Sequence, residues 1–301
     1  MTVPISTSSA EVVPSTSGNL ALQILRQQAA ALTDHATRAR DGSDIEDVHQ
    51  ARVATRRLRA ALRVFEDVLP ADLQQLRDEL GWIADSLGAA RDLDVLGARI
   101  QRVATELDVS SAVIPYGAWL EEQRQRALAT YNASSRSERF EQLMERLRQL
   151  EDVRPDPERN PPLEKDAPPR LKKAHRRLRK ITRDMDEKSP PWAFHKARIR
   201  TKWLRYTTEF LANVYGKPAD RLIKRTVELQ DLLGDHQDGI VSTQRIEEAV
   251  HTAAAEWPAE TSLALGRTVQ WELEHGAQLR RCFRSTQQTV EDAWKRLRDA
   301  L

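Results

Sequence analysis

The sequence predicts an all-α protein built from two similar helical bundles that an internal duplication relates. Three observations carry that expectation. Apolar residues recur at helical spacing almost without break from Asn19 to the C-terminus. A motif around His49 returns around His195. Leu, Ala, Arg, Glu and Gln dominate the composition, while aromatics make up only 5% of 301 residues, so the β-rich character of a sheet protein is missing. With 40% hydrophobic and 31% charged residues the chain can bury a sizeable core, which excludes disorder throughout.

Residues 1–18 are rich in Ser, Thr, Val and Pro with no helical period, and are expected to form a disordered tail. The helical region then runs over 19–301. Its first run carries Leu22, Leu25, Ala29 and Leu32, followed by runs from Val48 to Val68, Leu73 to Ile83 and Leu87 to Val103. Residues 152–169 hold six prolines and eight charged residues, the composition of a linker between a first repeat at 19–151 and a second at 170–301. A strongly basic helix is expected from Arg170 to about Asp186. A Ser-Pro-Pro break at 189–191 comes next, and helices continue to Leu301.

The duplication is read at a constant offset of 146 residues: His49, Arg52, Thr55, Leu58 and Arg59 return as His195, Arg198, Thr201, Leu204 and Arg205. Leu87, Gly88 and Asp92 return at the same offset as Leu233, Gly234 and Asp238. Duplicated halves that pack together usually do so about a pseudo-twofold axis, which sets equivalent residues face to face.

At 100° per residue, His49, Arg52, Arg56, Arg59 and Arg63 fall within an arc of about 80°, opposite Ala54, Leu58, Ala61 and Phe65. His195, Arg198, Lys202 and Arg205 take the same angles in the second copy, with Tyr206 beside them and Glu209 where Arg63 stood. Lys172, Arg176, Arg179 and Arg183 form a third stripe of the same spacing, opposite Leu171, Ala174 and Leu178. Residues 49–63 carry five bases and no acid, and residues 170–205 carry fourteen bases against three acids. The formal net charge is only +2, so these two segments hold +16 and the rest of the chain −14. A solvated, salt-bridged face is the ordinary explanation of a charged stripe. Here no acid interleaves the first one, and like charges at i,i+4 repel by about 0.2–0.5 kcal/mol each, a cost that an external anion would offset. Thirty-seven of the forty-seven bases are Arg, whose planar fork matches phosphate oxygens. Three such helices facing a cleft suit a long, densely charged polyanion.

These motifs resemble the CHAD family, the conserved histidine α-helical domain: H-x-x-R-V-x-T-R-R-L-R at His49, LG-x-x-R-D-x-D-V at Leu87, and H-x-x-R-I-R-T-K-x-L-R-Y at His195. The resemblance covers about 19–301. It implies two four-helix bundles, a basic cleft between them, and non-catalytic binding of inorganic polyphosphate by His49, Arg52, Arg56 and Arg59 with His195, Arg198, Lys202 and Arg205. Trp203 stands where similar sequences often carry another base. Some relatives are fused to a triphosphate-tunnel catalytic domain, and no E-x-E-x-K of that kind occurs here.

Among the remaining polar positions, a histidine close to several arginines should be neutral until an anion arrives, so His49 and His195 are candidate hydrogen-bond donors to phosphate. Arg91 is either a phosphate contact oriented by Asp92 or part of a structural salt bridge. His236 is either a ligand contact or a helix-end hydrogen bond, and His175 lies near the angle of Leu171 and Leu178. Packing accounts for the seven scattered tryptophans.

The alternative partner is nucleic acid, but no helix-turn-helix, zinc or RNA-binding signature accompanies the basic helices. A phosphohydrolase or a metalloenzyme ranks below both, since no P-loop, H-E-x-x-H or Asp-rich cluster is present, and no cofactor is expected. The single cysteine, Cys282, and the lack of any apolar run near 18 residues lead to the expectation of a cytoplasmic protein without a membrane span, associated with polyphosphate granules where these form.

Overall fold

A computed structural model describes residues 14–39 and 45–301. Its helices are α1 (Ser17–Arg38), α2 (Ile45–Val64), α3 (Leu76–Glu106), α4 (Ile114–Ser135), α5 (Glu138–Arg148), α6 (Leu163–Thr182), α7 (Pro191–Phe210), the short α8 (Ala212–Tyr215), α9 (Lys217–Ala253) and α10 (Ala259–Arg298). The fold is all-α. Among the described residues the only β pairing is an isolated antiparallel bridge between Thr16 and Pro162.

Each helix forms because its apolar stripe has a place to go. On α2 the stripe is Val48, Ala51, Ala54, Leu58, Ala61 and Leu62, and on α6 it is Leu171, Ala174 and Leu178, all buried. In the first half α1 packs on α2, α2 on α3 and α3 on α4, while α5 lies against α1. In the second half α6 packs on α7, α7 on α9 and α9 on α10, and the halves meet where α2 contacts α7 and α3 contacts α9 and α10. One large core joins residues of both halves, from Leu20 and Leu58 to Leu204 and Leu297. A second, smaller core gathers Leu96, Ile100, Tyr116, Leu120, Ile246 and Leu265, where the long helices α3, α9 and α10 run out beside α4.

Two boundaries differ from the sequence expectation. The tail expected over 1–18 falls partly on residues 1–13, which lie outside the described residues, but Ser17 and Gly18 already belong to α1 and are buried. The chain near Asn160 holds them. Ser17 N donates to Pro161 O at 3.1 Å, Leu163 N to Ser15 O at 2.9 Å, and Gly18 N to Asn160 Oδ1 at 2.8 Å. A Cβ on Gly18 would come within 2.8 Å of both Asn160 and Pro155, so this close approach requires glycine. The linker expected to reach 169 stops sooner, because α6 starts at Leu163 and carries Pro168 and Pro169 inside it. Those prolines remove the partners of the Glu164 and Lys165 carbonyls, and both residues are exposed, so water can serve them.

A buried ionic cluster fastens the halves together beside the smaller core. Arg99 of α3 donates through Nε and Nη2 to the two Glu272 oxygens of α10, each at 2.6 Å, and through Nη1 to Asp235 of α9 at 2.6 Å. The Glu272 side chain is 1% exposed. His275 adds a contact of 2.7 Å to the other Asp235 oxygen. The acceptors hold the Arg99 proton more tightly than usual despite the opposing effect of burial. Removing one side of such a pair strands the other charge, so Arg99→Leu is expected to cost about 3–5 kcal/mol, seen as a lower urea midpoint by circular dichroism. Adding Glu272→Leu should recover much of that loss. Losses that simply add would show that the two side chains act independently.

A candidate polyanion site where α2 meets α7

The two copies of the histidine motif lie on helices that touch. Near their C-terminal ends, α2 and α7 are joined by Arg57 Nη1 donating to Glu209 Oε2 at 2.7 Å, and by Phe65 against Phe210 with ring centroids 6.2 Å apart. Arg205 Nε donates to the other Glu209 oxygen at 2.6 Å. Glu209, which replaces the base expected from the first copy, therefore serves as acceptor for one arginine from each helix. The Arg63 guanidinium lies over the Trp203 ring, 5.0 Å from its centroid.

One turn or more further back, the junction has no such acceptor. Lys202 is half-buried, and its ammonium is pushed down to about 8 by burial and then by the charges of Arg198, Arg56, Arg52 and Arg205. Charges of both motif copies therefore bear on a single amine. Three buried guanidinium nitrogens in this group, Arg52 Nη1, Arg56 Nε and Arg198 Nε, have no hydrogen-bond partner in the protein, nor does Arg57 Nε. Buried donors normally find acceptors, so these unpartnered nitrogens are a departure that a bound anion would remove.

Glycines on the helices behind let these arginines lie close. Arg52 crosses Gly88 of α3, where an added Cβ would stand 2.8 Å from Nη1, and Arg59 lies over Gly81. In the second copy Arg198 lies over Gly234 of α9, at 3.7 Å from the same notional Cβ. One helical turn on, Asp92 accepts from Arg52 Nη2 at 3.0 Å. Its counterpart Asp238 has its carboxyl raised by burial, against the pull of Arg198 and Arg99. His195 Nδ1 is 3.0 Å from Gln237 Oε1. Burial lowers the His49 imidazole, as do the charges of Arg91, Arg56 and Arg52, so it is neutral at pH 7.

Several sequence expectations are placed elsewhere. Tyr206 is buried and stacked on Phe210, 13° from parallel, with the Arg205 guanidinium 5.8 Å from its ring centroid. Lys172, Arg176, Arg179 and Arg183 are exposed, but they lie about 110° around α6 from Lys173 and Arg177, the bases that face Arg63 and Trp203. The rotation of α6 is set by Leu171, Ala174 and Leu178, which must face the core, and this turns the third stripe to the other flank. Lys173 and Arg177 line a hollow of about 460 Å³ with Arg63, Trp203, Arg170 and Asp67. Burial and the nearby charges of Arg77, Arg177 and Arg200 weaken the hold of Arg63 on its proton. Sequence spacing did not reveal that grouping, since its members come from four helices. Arg91 reaches Asp94 at 3.9 Å, within its own helix.

His175 is buried against Trp294 at 4.2 Å between centroids and pairs with Glu291 at 3.1 Å. His236 is buried beside Phe194 of α7, at 4.8 Å, with Arg280 Nη1 at 3.4 Å from Nε2. Burial and the Arg280 charge push His236 down to about 4. No group of three or more His, Cys, Asp or Glu side chains among the described residues could hold a metal ion.

The lowered His236 fixes the sign of one pH effect. Unfolding restores its ordinary value near 6.5, so below that pH the unfolded chain takes up a proton that the folded chain refuses until about pH 4. Stability from this group is full above pH 6.5 and falls between 6.5 and 4. His236→Gln is therefore expected to flatten urea-midpoint curves over that window, and an unchanged slope would place the acid sensitivity in other groups.

The α2–α7 contact and its bases lie within residues 23–247, the stretch that matches the family model described as CHAD domain. Two Mycobacterium tuberculosis proteins, uncharacterized proteins Rv2226 and MT2285, are 31% and 30% identical to this chain over 284 residues. The match takes in 89% of the chain, which spans about half the length (52%) of these curated relatives. The structure is similar to that of PptA from Streptomyces chartreusis, with a TM-score of 0.72 and 20% identity over 93% of this chain and 100% of that one. It is also similar to the CHAD domain from the plant Ricinus communis, with a TM-score of 0.74 and 23% identity over 94% and 95% of the two chains. Matched over residues 23–247, which include the α2–α7 contact and make up about three quarters of its length, the chain belongs to the CHAD domain family.

Proposed function

We propose that this protein binds inorganic polyphosphate, without catalysis, at the junction of α2 and α7. The observation that carries the reading is the set of buried guanidinium donors without protein acceptors, Arg52 Nη1, Arg56 Nε and Arg198 Nε, on arginines whose charges bear on Lys202. Phosphate oxygens match such donors in geometry and charge, and a linear polymer of them could engage both motif copies at once. Membership of the CHAD family and the structural likeness to PptA support the reading.

In this reading the two motif copies are halves of an internal duplication whose pseudo-twofold axis passes near the junction, with a basic cleft between two four-helix bundles. His49, Arg52, Arg56 and Arg59 serve from α2, and His195, Arg198, Lys202 and Arg205 from α7, with Arg63 extending the surface toward Arg177. The lower-ranked residues Arg91 and His236 and the flank of Lys172, Arg176, Arg179 and Arg183 are left outside the central contacts. The protein would act in the cytoplasm, at polyphosphate granules where these form, and other polyanions would compete by charge alone. No helix among the described residues is long and apolar enough to cross a membrane.

A direct test pairs two double variants. Each charge-assisted contact contributes about 1.5–3 kcal/mol, so Arg56→Ala with Lys202→Ala is expected to weaken polyphosphate binding by about two to four decades. Arg126→Ala with Arg148→Ala removes two exposed bases of α4 and α5 and should change affinity little, because salt screens such charges within about 8 Å. Equal losses, with helicity intact by circular dichroism, would mean diffuse attraction and no organised site. Single-stranded and duplex nucleic acid at matched phosphate concentration should bind more weakly than polyphosphate, and no phosphate should be released with or without divalent metal.

The depressed Lys202 adds a pH dependence to the binding. Only its charged form helps hold an anion, and the bound anion raises its proton affinity, so binding takes up a proton once the pH exceeds about 8. Affinity measured by titration calorimetry is expected to be flat below pH 7 and to fall by up to about tenfold per pH unit above 8, with Lys202→Arg abolishing the fall. A profile that is the same in both proteins would separate Lys202 from the ligand.

A further inference from the structure

The hollow of about 460 Å³ between α2, α6 and the Trp203 side of α7 falls in the size range of small-molecule sites. Its lining is of two kinds. Val64, Pro169, Ala174 and the Trp203 ring are apolar, while Arg63 of α2 and Lys173 and Arg177 of α6 are cationic. Arg63 lies over the indole at 5.0 Å, and among the described residues none of these three bases makes a hydrogen bond or an ion pair. The aspartates of the hollow are engaged elsewhere. Both Asp67 oxygens accept from Arg170, at 2.7 and 3.0 Å, and Asp166 accepts from Arg170 and from Ser17. Glu66 also lines the hollow, and among the described residues its carboxylate has no hydrogen bond or ion pair.

We propose that this hollow is a nucleotide site, separate from the α2–α7 junction, and that it takes a guanine nucleoside triphosphate. Lys173 and Arg177 are one helical turn apart, about 5–6 Å between Cβ atoms, so neighbouring phosphates of one chain reach both. The planar guanidinium of Arg63 on Trp203 is a surface of the kind on which a base stacks. A bare phosphate chain would satisfy the bases but lay charge against Val64, Pro169 and Ala174, whereas an aromatic ring gains from covering them. Glu66 selects the base. A carboxylate only accepts, and guanine offers two N–H groups side by side on its Watson–Crick edge, where adenine sets an acceptor beside its single amine. The inference goes beyond the polyphosphate reading and does not depend on it, since none of Arg52, Arg56, Arg198 and Lys202 lines the hollow.

The charge balance of the hollow points the same way. Lys173 and Arg177 repel at i,i+4, and Arg77 of α3 and Arg200 of α7 add positive charge near Arg63. A triphosphate offsets that excess. The hydrogen bonds from guanine to Glu66 then separate this ligand from any that brings phosphate alone. A hydrogen bond to a charged acceptor is worth about tenfold or more in affinity. Inosine triphosphate, which lacks the 2-amino group of guanine, is therefore the sharpest comparison.

The experiment titrates the full chain with GTP, inosine triphosphate and tripolyphosphate by calorimetry at pH 7.4 and physiological salt. GTP is expected to bind at least about tenfold more tightly than either of the others. Glu66→Gln should reduce the preference over inosine triphosphate to less than about threefold. Lys173→Ala with Arg177→Ala, with helicity checked by circular dichroism, should weaken GTP binding by about a hundredfold or more. Tripolyphosphate bound as tightly as GTP would overturn the proposal, and so would a guanine preference that Glu66→Gln leaves unchanged. Arg56→Ala with Lys202→Ala alters the junction instead. GTP affinity kept within about threefold in that variant supports the hollow, and a parallel loss of GTP and polyphosphate binding places the nucleotide at the junction and defeats the inference. Polyphosphate bound without GTP defeats this inference alone, and GTP bound in the hollow without polyphosphate binding defeats the functional reading alone.

Discussion

Like charges at the α2–α7 junction repel, and the rest of the structure is arranged to bear that repulsion. Burial, and then the charges of Arg198, Arg56 and Arg52, loosen the hold of Lys202 on its proton, an electrostatic cost present whenever the site is empty of anions. What opposes it is apolar. Leu58 and Ala61 on α2 with Phe65 just past its end, and Leu204 and Phe210 on α7 with Leu211 just past its end, are buried in one continuous core that spans both halves. Burial of a single Leu or Phe side chain contributes about 1.5–3 kcal/mol, so a few such contacts outweigh several partly screened repulsions. Glu209 does the same work by ionic means, neutralising Arg57 and Arg205 at the end of the junction where Phe65 meets Phe210.

The ionic cluster at Arg99 follows a different rule. There every buried nitrogen of the guanidinium has a carboxylate oxygen at 2.6 Å, and the charge is matched inside the protein. At the junction Arg52 Nη1, Arg56 Nε and Arg198 Nε have no acceptor in the protein. The arginines thus fall into two groups, one buried and closed, the other half-buried and open. The closed group holds α3 to α9 and α10, which keeps the glycine-bearing stretches of α3 and α9 in place behind Arg52 and Arg198. Precision in the open group depends on the rigidity of the closed one, since a displaced helix would move the surface on which the arginines lie.

Much of this was legible in the sequence because periodicity and repetition are local. The apolar stripe of α2 fixed which side of that helix faces inward, so the opposite line of His49, Arg52, Arg56 and Arg59 was readable without coordinates. The offset of 146 residues then carried the reading to α7, and Gly88 and Gly234 fell in register with it. The flank of α6 was not legible, because a buried stripe fixes a helix's inward face and not which neighbour lies on either side. Lys173 and Arg177 thus face Arg63, and Lys172 and Arg176 do not. The burial of Tyr206 was not legible for a related reason: α7 is covered on more than one side, by α6, α9 and α2, which widens its buried arc to include that angle. Pro168 and Pro169 read as breakers, yet the carbonyls they leave unpaired lie on exposed residues of the first turn and a half of α6, where solvent makes the loss bearable.

The replacement of Arg63 by Glu209 in the second copy has a consequence for the charge along the two helices. On α7 the line of bases ends in an internal ion pair, with Arg205 turned to Glu209. On α2 the line continues past that level, to Arg63 on the Trp203 ring and the neighbouring charges of Arg77, Arg177 and Arg200. The positive field is therefore not symmetric about the junction even though the motifs around it repeat. A symmetric arrangement would present two equivalent exits, and it would also leave Arg57 without its acceptor and the α2–α7 contact without its ionic clasp. The same carboxylate that stabilises the crossing thus breaks the equivalence of the two ends, and the physical reason is local: one oxygen of Glu209 is used by each helix.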